Sequence, residues 1–140
     1  MRWLRSLATA AALSATLVAC DDDSDLPTLG GPRIVTGTFD LVTIDGQALP
    51  VTIIDETTFV VEVLSGSITL NPDRSCIIEE SYRETENGVV SNTSVTLACE
   101  YTASGSSITI VDENDEQLNA TIEDGVLRYT LSGLEYVYER

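Results

Sequence analysis

The chain has 140 residues and a formal net charge of −16, with seven Arg or Lys residues against 23 Asp or Glu residues. This length is enough for one domain with a substantial hydrophobic core. A surface of this charge repels nucleic acid, so we expect no nucleic-acid partner. The sequence also contains no histidine, and the side chain that most often transfers protons near neutral pH is therefore missing.

The first 19 residues have the three parts of a secretory signal: a positive start, an apolar run over residues 7–18 and the small residue Ala19. A transmembrane helix needs about 17–25 apolar residues, and this run is shorter and is followed directly by three aspartates. The sequence Leu17-Val18-Ala19-Cys20 resembles a bacterial lipobox. The resemblance implies cleavage between Ala19 and Cys20 and lipid attachment to Cys20. An ordinary signal peptide with an unrelated cysteine is the alternative.

In lipoproteins with this motif, a diacylglycerol and usually a third acyl chain on the cysteine anchor the protein in a bilayer. The expected location is the bacterial cell envelope, outside the cytoplasm, with the inner and outer membranes both open. Removal of residues 1–19 leaves five arginines against 23 acidic residues, a net charge of −18. Residues 20–33 are rich in Asp, Pro and Gly, which predicts an acidic flexible linker after the lipidated cysteine. Residues 34–140 then form a single domain.

From Ile34 onward the sequence alternates apolar and polar residues over short stretches and shows no long helical period. Turn signals separate these stretches at Asp45-Gly46, Ser65-Gly66, Asn71-Pro72-Asp73-Arg74, Asn87-Gly88, Ser104-Gly105, Asp124-Gly125 and Ser132-Gly133. The pattern predicts an all-β fold, an antiparallel up-and-down meander of eight to ten strands that closes into a small barrel. Strands over residues 37–45, 48–54 and 57–64 are expected before the meander. A two-sheet β-sandwich is the alternative.

Two-residue hairpin loops fix which residues face each other. The loops at residues 124–125 and 132–133 independently place the same residues of the strand between them on the apolar side. In this register the predicted pairs are Ile122 with Leu127, Ala120 with Tyr129, Leu118 with Leu131, Leu131 with Leu134, Tyr129 with Tyr136 and Leu127 with Tyr138. The other turns pair Tyr101 with Ile108, Cys99 with Ile110, Leu70 with Cys76 and Ile68 with Ile78. The turn at residues 71–74 puts Arg74 in the left-handed conformation that usually favours glycine.

The Asn87-Gly88 loop places Cys76 opposite Cys99. Because Cys20 carries lipid, these two cysteines remain as an even pair, the usual basis of a disulfide in an oxidising compartment. Such a bond would contribute about 3 kcal/mol on the chain-entropy model. The same register sets Glu80 opposite Val95, which interrupts the apolar face and predicts that the outer half of this hairpin leaves the core.

Several short motifs are similar to those of small bacterial lipocalin-like lipoproteins. Gly37-Thr38-Phe39-Asp40-Leu41 resembles their first strand, and Asp45-Gly46-Gln47-Ala48-Leu49-Pro50 resembles the turn that follows. The stretches over residues 66–73 and 136–140 resemble their middle and last strands. The resemblance implies a lipocalin-like barrel. Classical lipocalins carry a tryptophan in the first strand with an arginine packed across it. This chain has Phe39 at the matching place, with Arg140 or Arg128 as the candidate arginine, and a plain core role for Phe39 is the alternative.

No motif for catalysis is present: there is no nucleophile elbow, and Glu79 and Glu80 point to opposite faces of a strand. We therefore predict a non-enzymatic protein with no catalytic residues and no cofactor. The acidic run over residues 112–116 has oxygen ligands but lacks the glycine bend and distal glutamate of a calcium loop. A solvated hairpin loop is favoured there, and no metal site is predicted.

The predicted interior contains mostly large residues, which favours a filled core over a ligand cavity. The interior residues are Phe39, Leu41, Ile68, Leu70, Ile78, Leu97, Tyr101, Ile108, Ile110, Leu118, Ile122, Leu127, Tyr129, Leu131, Tyr136 and Tyr138. If a cavity exists, the candidate ligand-lining residues are Phe39, Leu41, Ile78, Leu97, Tyr101, Ile110, Tyr129, Tyr136 and Tyr138. The leading hypothesis is a binding module for a small apolar ligand or an envelope component. The alternative is a solid-core structural or inhibitory interaction domain.

Overall fold

A computed structural model of the protein describes residues 34–140. The predicted signal segment 1–19, the predicted cleavage site between Ala19 and Cys20, the predicted lipid attachment at Cys20 and the predicted linker 20–33 lie outside the described residues. Within residues 34–140 every regular element is a strand. No helix in this part of the chain has the length and apolar content that a membrane span needs.

Ten antiparallel strands form one continuous sheet, and eight of them close into a barrel. The strands are β1 (Gly37–Ile44), β2 (Gln47–Ala48), β3 (Val51–Asp55), β4 (Phe59–Leu70), β5 (Ser75–Glu86), β6 (Val89–Ser104), β7 (Ser107–Asp112), β8 (Gln117–Glu123), β9 (Val126–Leu131) and β10 (Leu134–Glu139). Strands β4 to β10 follow one another in a meander. Closure comes from β1, which pairs with β4 through its first half and with β10 through its second half. The predicted barrel is confirmed and the sandwich alternative is wrong.

The two remaining strands lie outside the closed barrel: β2 pairs with the end of β1, and β3 pairs with the first half of β4. Along one side, β4 has two neighbours in succession, which accounts for its length. Its first half pairs with β3, and its last residues, Ser67–Leu70, pair with β1.

The hairpin turns explain most of the register. At Asp45-Gly46, Asn87-Gly88, Asp124-Gly125 and Ser132-Gly133, both loop residues have positive φ, as type I′ turns require. The pairs predicted between β9 and β10 and for Ile122 and Ala120 in β8 are confirmed. The pairs of Leu70 with Cys76 and Ile68 with Ile78 are also confirmed. Arg74 has φ +71°, the predicted left-handed conformation.

The predicted register between β6 and β7 is wrong by two residues. The loop is Gly105-Ser106 rather than Ser104-Gly105, so Tyr101 pairs with Ile110 and not with Ile108. Similarly, Cys99 pairs with Asp112 and not with Ile110. Only Gly105 has positive φ in this loop, as in type II′ turns with glycine first. A shift of two residues preserves the faces of a strand, so Tyr101, Ile108 and Ile110 still point inward.

Ser65-Gly66 is not a turn. Strand β4 runs through it without interruption, and the register to β5 shifts between Val63 and Ser65. This bulge changes which residues of β4 point inward: Val63 is buried before it and Ile68 after it. The predicted strand 57–64 and the stretch after it are therefore one element.

Leu131 is the one predicted interior residue that lies at the surface, with 51% of its area exposed. The ladder between β8 and β9 runs from Ala120–Tyr129 to Glu123–Val126, so the predicted pair of Leu118 with Leu131 does not form. Leu131 still pairs with Leu134 on β10. Its side chain is on the inward side of β9, but β9 no longer pairs with β8 at this position, so the barrel wall does not cover it.

One end of the barrel, which we call the closed end, contains the turns at residues 71–74, 105–106 and 124–125. Val35 packs against the core there. The Tyr101 hydroxyl lies within hydrogen-bonding distance of the Val35 carbonyl and, at 2.9 Å, of the Asn71 carbonyl. The chain before β1 therefore lies across this end and covers it.

Arg140 completes the closed end. Its guanidinium carbon lies 5.5 Å from the centre of the Phe39 ring, and its Nη1 donates a hydrogen bond of 2.9 Å to the Thr36 carbonyl. A side chain at Gly37 would approach the Arg140 Cδ to 3.1 Å, and this position has φ +128°. Of the two arginines proposed for contact with Phe39, Arg140 is therefore the one in place.

Candidate functional site at the arm end of the barrel

At the opposite end, β5 and β6 continue as a long hairpin past the last pair between β6 and β7, and β5 stays paired with β4 over this length. Cys99 is the first residue of β6 in chain order that pairs with β7, and it lies opposite Cys76. The two cysteines form the predicted disulfide, with their Cα atoms 4.8 Å apart. We call residues 77–98 the arm and this end of the barrel the arm end.

Eight of the nine predicted ligand-lining residues belong to the packed interior or lie against it, and Leu97 is outside this cluster. Seven are buried, and Ile78 and Leu97 are half-buried. The buried seven are Phe39, Leu41, Tyr101, Ile110, Tyr129, Tyr136 and Tyr138. They form one cluster with the remaining core residues. These side chains therefore fill the interior with one another, and a ligand would meet their cluster at the arm end.

Three tyrosines of the last two strands form a stack inside this end. The Tyr129 ring lies 5.0 Å from Tyr136 and 5.7 Å from Tyr138, centre to centre, with interplanar angles of 9° and 28°. The hydroxyl oxygens of Tyr129 and Tyr138 are 3.0 Å apart, within hydrogen-bonding distance. The hairpin register explains the stack, because Tyr129 lies opposite Tyr136 and Tyr138 is two residues further along the same face.

A carboxylate faces this stack from the arm. Tyr82 donates a hydrogen bond to Oε2 of Glu80, and both residues are half-buried on the inward side of β5. Burial raises the pKa of Tyr82, and its hydrogen bond to Glu80 raises it further. Burial also raises the pKa of Tyr129 and Tyr138, and the nearby negative charge of Glu80 adds to both effects. The cluster thus combines ring faces, phenol hydroxyls and one carboxylate.

The sequence predictions did not include Tyr82 or Glu80 in the site. The predicted register, which is the observed one, places Glu80 on the inward face, where it interrupts the row of apolar residues. Tyr82 lies two residues further along that face, and the period of two in a strand was the available signal. The proximity of these two residues to the tyrosines of β9 and β10 follows from the closed barrel and not from any local pattern.

Around this cluster the inward face continues into an apolar rim. Leu97, Leu118 and Leu134 are half-buried. Val95 is 36% exposed and Leu131 is 51% exposed. These five residues, which we call the rim, belong to strands whose inward positions are buried further down the barrel. The arm end therefore presents apolar surface that the fold leaves partly uncovered.

The acidic loop between β7 and β8 has an internal role. The Asp112 carboxylate accepts hydrogen bonds from the backbone N–H groups of Asn114, at 2.8 Å, and Glu116, at 2.9 Å. These bonds hold the pKa of Asp112 below its usual value. Among residues 34–140 no three acidic or cysteine side chains are grouped closely enough to hold a metal ion.

Comparison of the chain with protein-family models, with curated protein sequences and with solved structures found no match.

Proposed function

We propose that this chain is a lipid-anchored protein of the bacterial cell envelope and that its barrel is a non-enzymatic binding module. The lipobox resemblance at residues 17–20 supports the anchor. The Cys76–Cys99 disulfide supports an oxidising compartment outside the cytoplasm. The bilayer is then one partner, through acylated Cys20, and the second partner is the ligand or envelope component that binds at the rim.

The observation that carries the binding proposal is the exposed apolar rim above a tyrosine and carboxylate cluster. Apolar sites with a few polar groups are typical of ligand-binding surfaces. The ligand we propose is a small apolar molecule, or an apolar group of another envelope component. Since side chains fill the interior below the rim, the ligand would lie on the rim and reach the tyrosine hydroxyls only with its polar end.

The filled interior also favours a second candidate function, a solid-core interaction domain that holds no ligand. In that case the rim would contribute apolar contact area to a protein interface. The two candidates differ in whether an isolated small molecule binds.

The anchor is tested by metabolic labelling with palmitate in a bacterial host. The unchanged chain should incorporate label, and Cys20→Ser should abolish it. Equal labelling of the two proteins would contradict the proposal that Cys20 is acylated.

Ligand binding is tested with a neutral apolar dye whose fluorescence rises in apolar surroundings, and with native mass spectrometry of the purified protein. Leu131→Gln should weaken dye binding about fivefold, since about 1 kcal/mol of apolar contact is lost. Thr130→Gln, on the outer face of the same strand, is the matched control and should leave the affinity unchanged. If the protein binds no dye and carries no co-purified ligand, the solid-core candidate is the correct one.

A further inference from the structure

Strand β6 has two neighbours over only part of its length. Cys99 and Glu100 pair with both β5 and β7, and residues 101–104 pair with β7, whereas Val89–Ala98 pair with β5 alone among the described residues. The second stretch is therefore a free sheet edge of ten residues, which we call the β6 edge. A free edge presents unpaired backbone N–H and C=O groups to an incoming strand.

The β6 edge lacks the features that usually protect such edges. Proteins place charged residues, prolines or bulges on free edges to prevent pairing. Residues 87–99 contain none of these, and they form the longest uncharged run within residues 34–140, in a chain with 21% charged residues. Val89 and Val90 are 71% and 59% exposed. An acidic protein thus leaves one long, uncharged strand edge open to pairing.

The hairpin register identifies which backbone groups are available. In a hairpin with a two-residue loop, the residues flanking the loop form a hydrogen-bonded pair, here Glu86 and Val89. Hydrogen-bonded and non-hydrogen-bonded positions then alternate along the ladder. The even-numbered residues from Val90 to Ala98 consequently direct their N–H and C=O groups away from β5. Asn92 lies near the middle of this set.

A row of acidic and hydroxyl side chains leads to the β6 edge on the outer face of the sheet. Asp40 pairs with Ser67, Ser67 with Glu79, and Glu79 with Thr96, so these residues cross four adjacent strands. They line a shallow groove of about 350 Å³. Arg83, on the same face of β5, lies 2.6 Å from Glu62 and donates two hydrogen bonds to its carboxylate. That cation is already paired, which leaves the groove acidic.

We propose that the β6 edge is a strand-pairing site for an extended, basic segment of another polypeptide. Backbone hydrogen bonds to the even-numbered residues would supply affinity, as in other cases of strand addition. A lysine or arginine opposite Thr96 would lie over the groove, where its charge meets Glu79 and Asp40. A second copy of this chain fits less well, because each copy has a net charge of −16 and the two would repel.

This proposal does not depend on ligand binding at the rim, and it has its own test. The probe is a peptide of about ten residues in which lysine alternates with valine and threonine, labelled for fluorescence anisotropy and added to the full chain in mild detergent. Asn92→Pro removes one outward N–H, and proline is tolerated on an edge strand when its nitrogen faces solvent. Asn92→Ala keeps that N–H and is the matched control.

The peptide should bind saturably, and Asn92→Pro should weaken binding at least tenfold while Asn92→Ala does not. Glu79→Gln should weaken binding about threefold or more, because one charge of the groove is lost. Glu123→Gln, an acidic residue at the closed end, should have no effect. Circular dichroism of Asn92→Pro establishes that the barrel is still folded.

Equal binding to Asn92→Pro and the unchanged protein would overturn the proposal, since it would mean that the peptide adsorbs to the acidic surface in general. Sedimentation equilibrium provides a second decisive result. A dimer that forms without peptide and is lost in Asn92→Pro would show that a second copy occupies the edge, and the basic partner would then be wrong.

Discussion

Cys99 is bonded to Cys76 at the position where β6, followed from the closed end toward the arm, makes its last pair with β7. Beyond this point β6 has β5 as its neighbour on one side only, in the part of the chain that the structure describes. The disulfide therefore cross-links β5 and β6 at the point where β6 leaves the closed wall and becomes a sheet edge, while β5 stays paired with β4 on its other side.

Replacing both cysteines by serine should lower the free energy of unfolding by about 3 kcal/mol, because the bond closes a loop with a sequence separation of 23 residues. Urea denaturation followed by circular dichroism measures this change. The double variant should also be insensitive to reducing agent, whereas the unchanged protein should be destabilised by it. A reduced and an oxidised protein with the same midpoint would contradict a structural role for the bond.

The buried contact between the Tyr129 and Tyr138 hydroxyls should be worth about 1 kcal/mol. Each single change to phenylalanine leaves one hydroxyl without its partner in an apolar setting, so Tyr129→Phe and Tyr138→Phe should both destabilise the protein. The double variant should lose less than the sum of the two, because no hydroxyl is then left unpaired. A double-mutant cycle from urea midpoints tests this, and strict additivity would contradict the coupling.

The same tyrosines predict a loss of stability at alkaline pH. The pKa values of Tyr82, Tyr129, Tyr136 and Tyr138 are raised in the folded protein, chiefly by burial. The folded chain thus holds protons that the unfolded chain releases above about pH 10. The contribution of these tyrosines to the free energy of unfolding is therefore fully present below that pH and is lost as the pH rises. Urea midpoints measured between about pH 8 and pH 11 should fall above about pH 10.

Tyr129→Phe combined with Tyr138→Phe supplies the control for this pH dependence, since it removes two of the four groups. The decline in midpoint above pH 10 should be less steep in that variant. An equally steep decline in both proteins would assign the alkaline sensitivity to other groups.

Arg140→Met should destabilise the protein by about 1 kcal/mol, because the cation over Phe39 and the hydrogen bond to the Thr36 carbonyl are both lost. Methionine retains much of the apolar stem. Arg128→Met is the matched control: its ion pair with Glu135 is 3.4 Å long and about half exposed, so its loss should cost no more than about 0.5 kcal/mol. Thermal denaturation compares the two variants, and equal effects would contradict the role of Arg140.

Local rules predicted the barrel because its hairpin loops are short. Type I′ loops such as Asp124-Gly125 determine register directly, and the register of β8, β9 and β10 followed from two of them. The error at Gly105-Ser106 has a local cause. Gly105 has a serine on each side, so the sequence allows a two-residue loop at either Ser104-Gly105 or Gly105-Ser106. The bulge near Ser65 was missed because a serine and a glycine within a strand resemble a turn.

The candidate site was less predictable, because it depends on where strands end relative to one another. Leu131 alternates correctly with Tyr129, yet it is exposed because the ladder to β8 stops before it. Likewise, Tyr82 packs against the core and Glu80 lies close enough to raise the pKa of Tyr129 and Tyr138, which depends on how the closed barrel brings β5 near β9 and β10. Sequence periodicity assigns a face to each residue, but it does not show how far neighbouring strands extend.

The coverage of the closed end by Val35 and Thr36 has a consequence for orientation. The polypeptide enters the domain at that end, so an acyl anchor at Cys20 would draw that end toward the lipid. Residues 21–33 can span at most about 45 Å when fully extended. The rim and the β6 edge, at the far end of the barrel, would then point away from the bilayer, toward whatever shares the surrounding aqueous space.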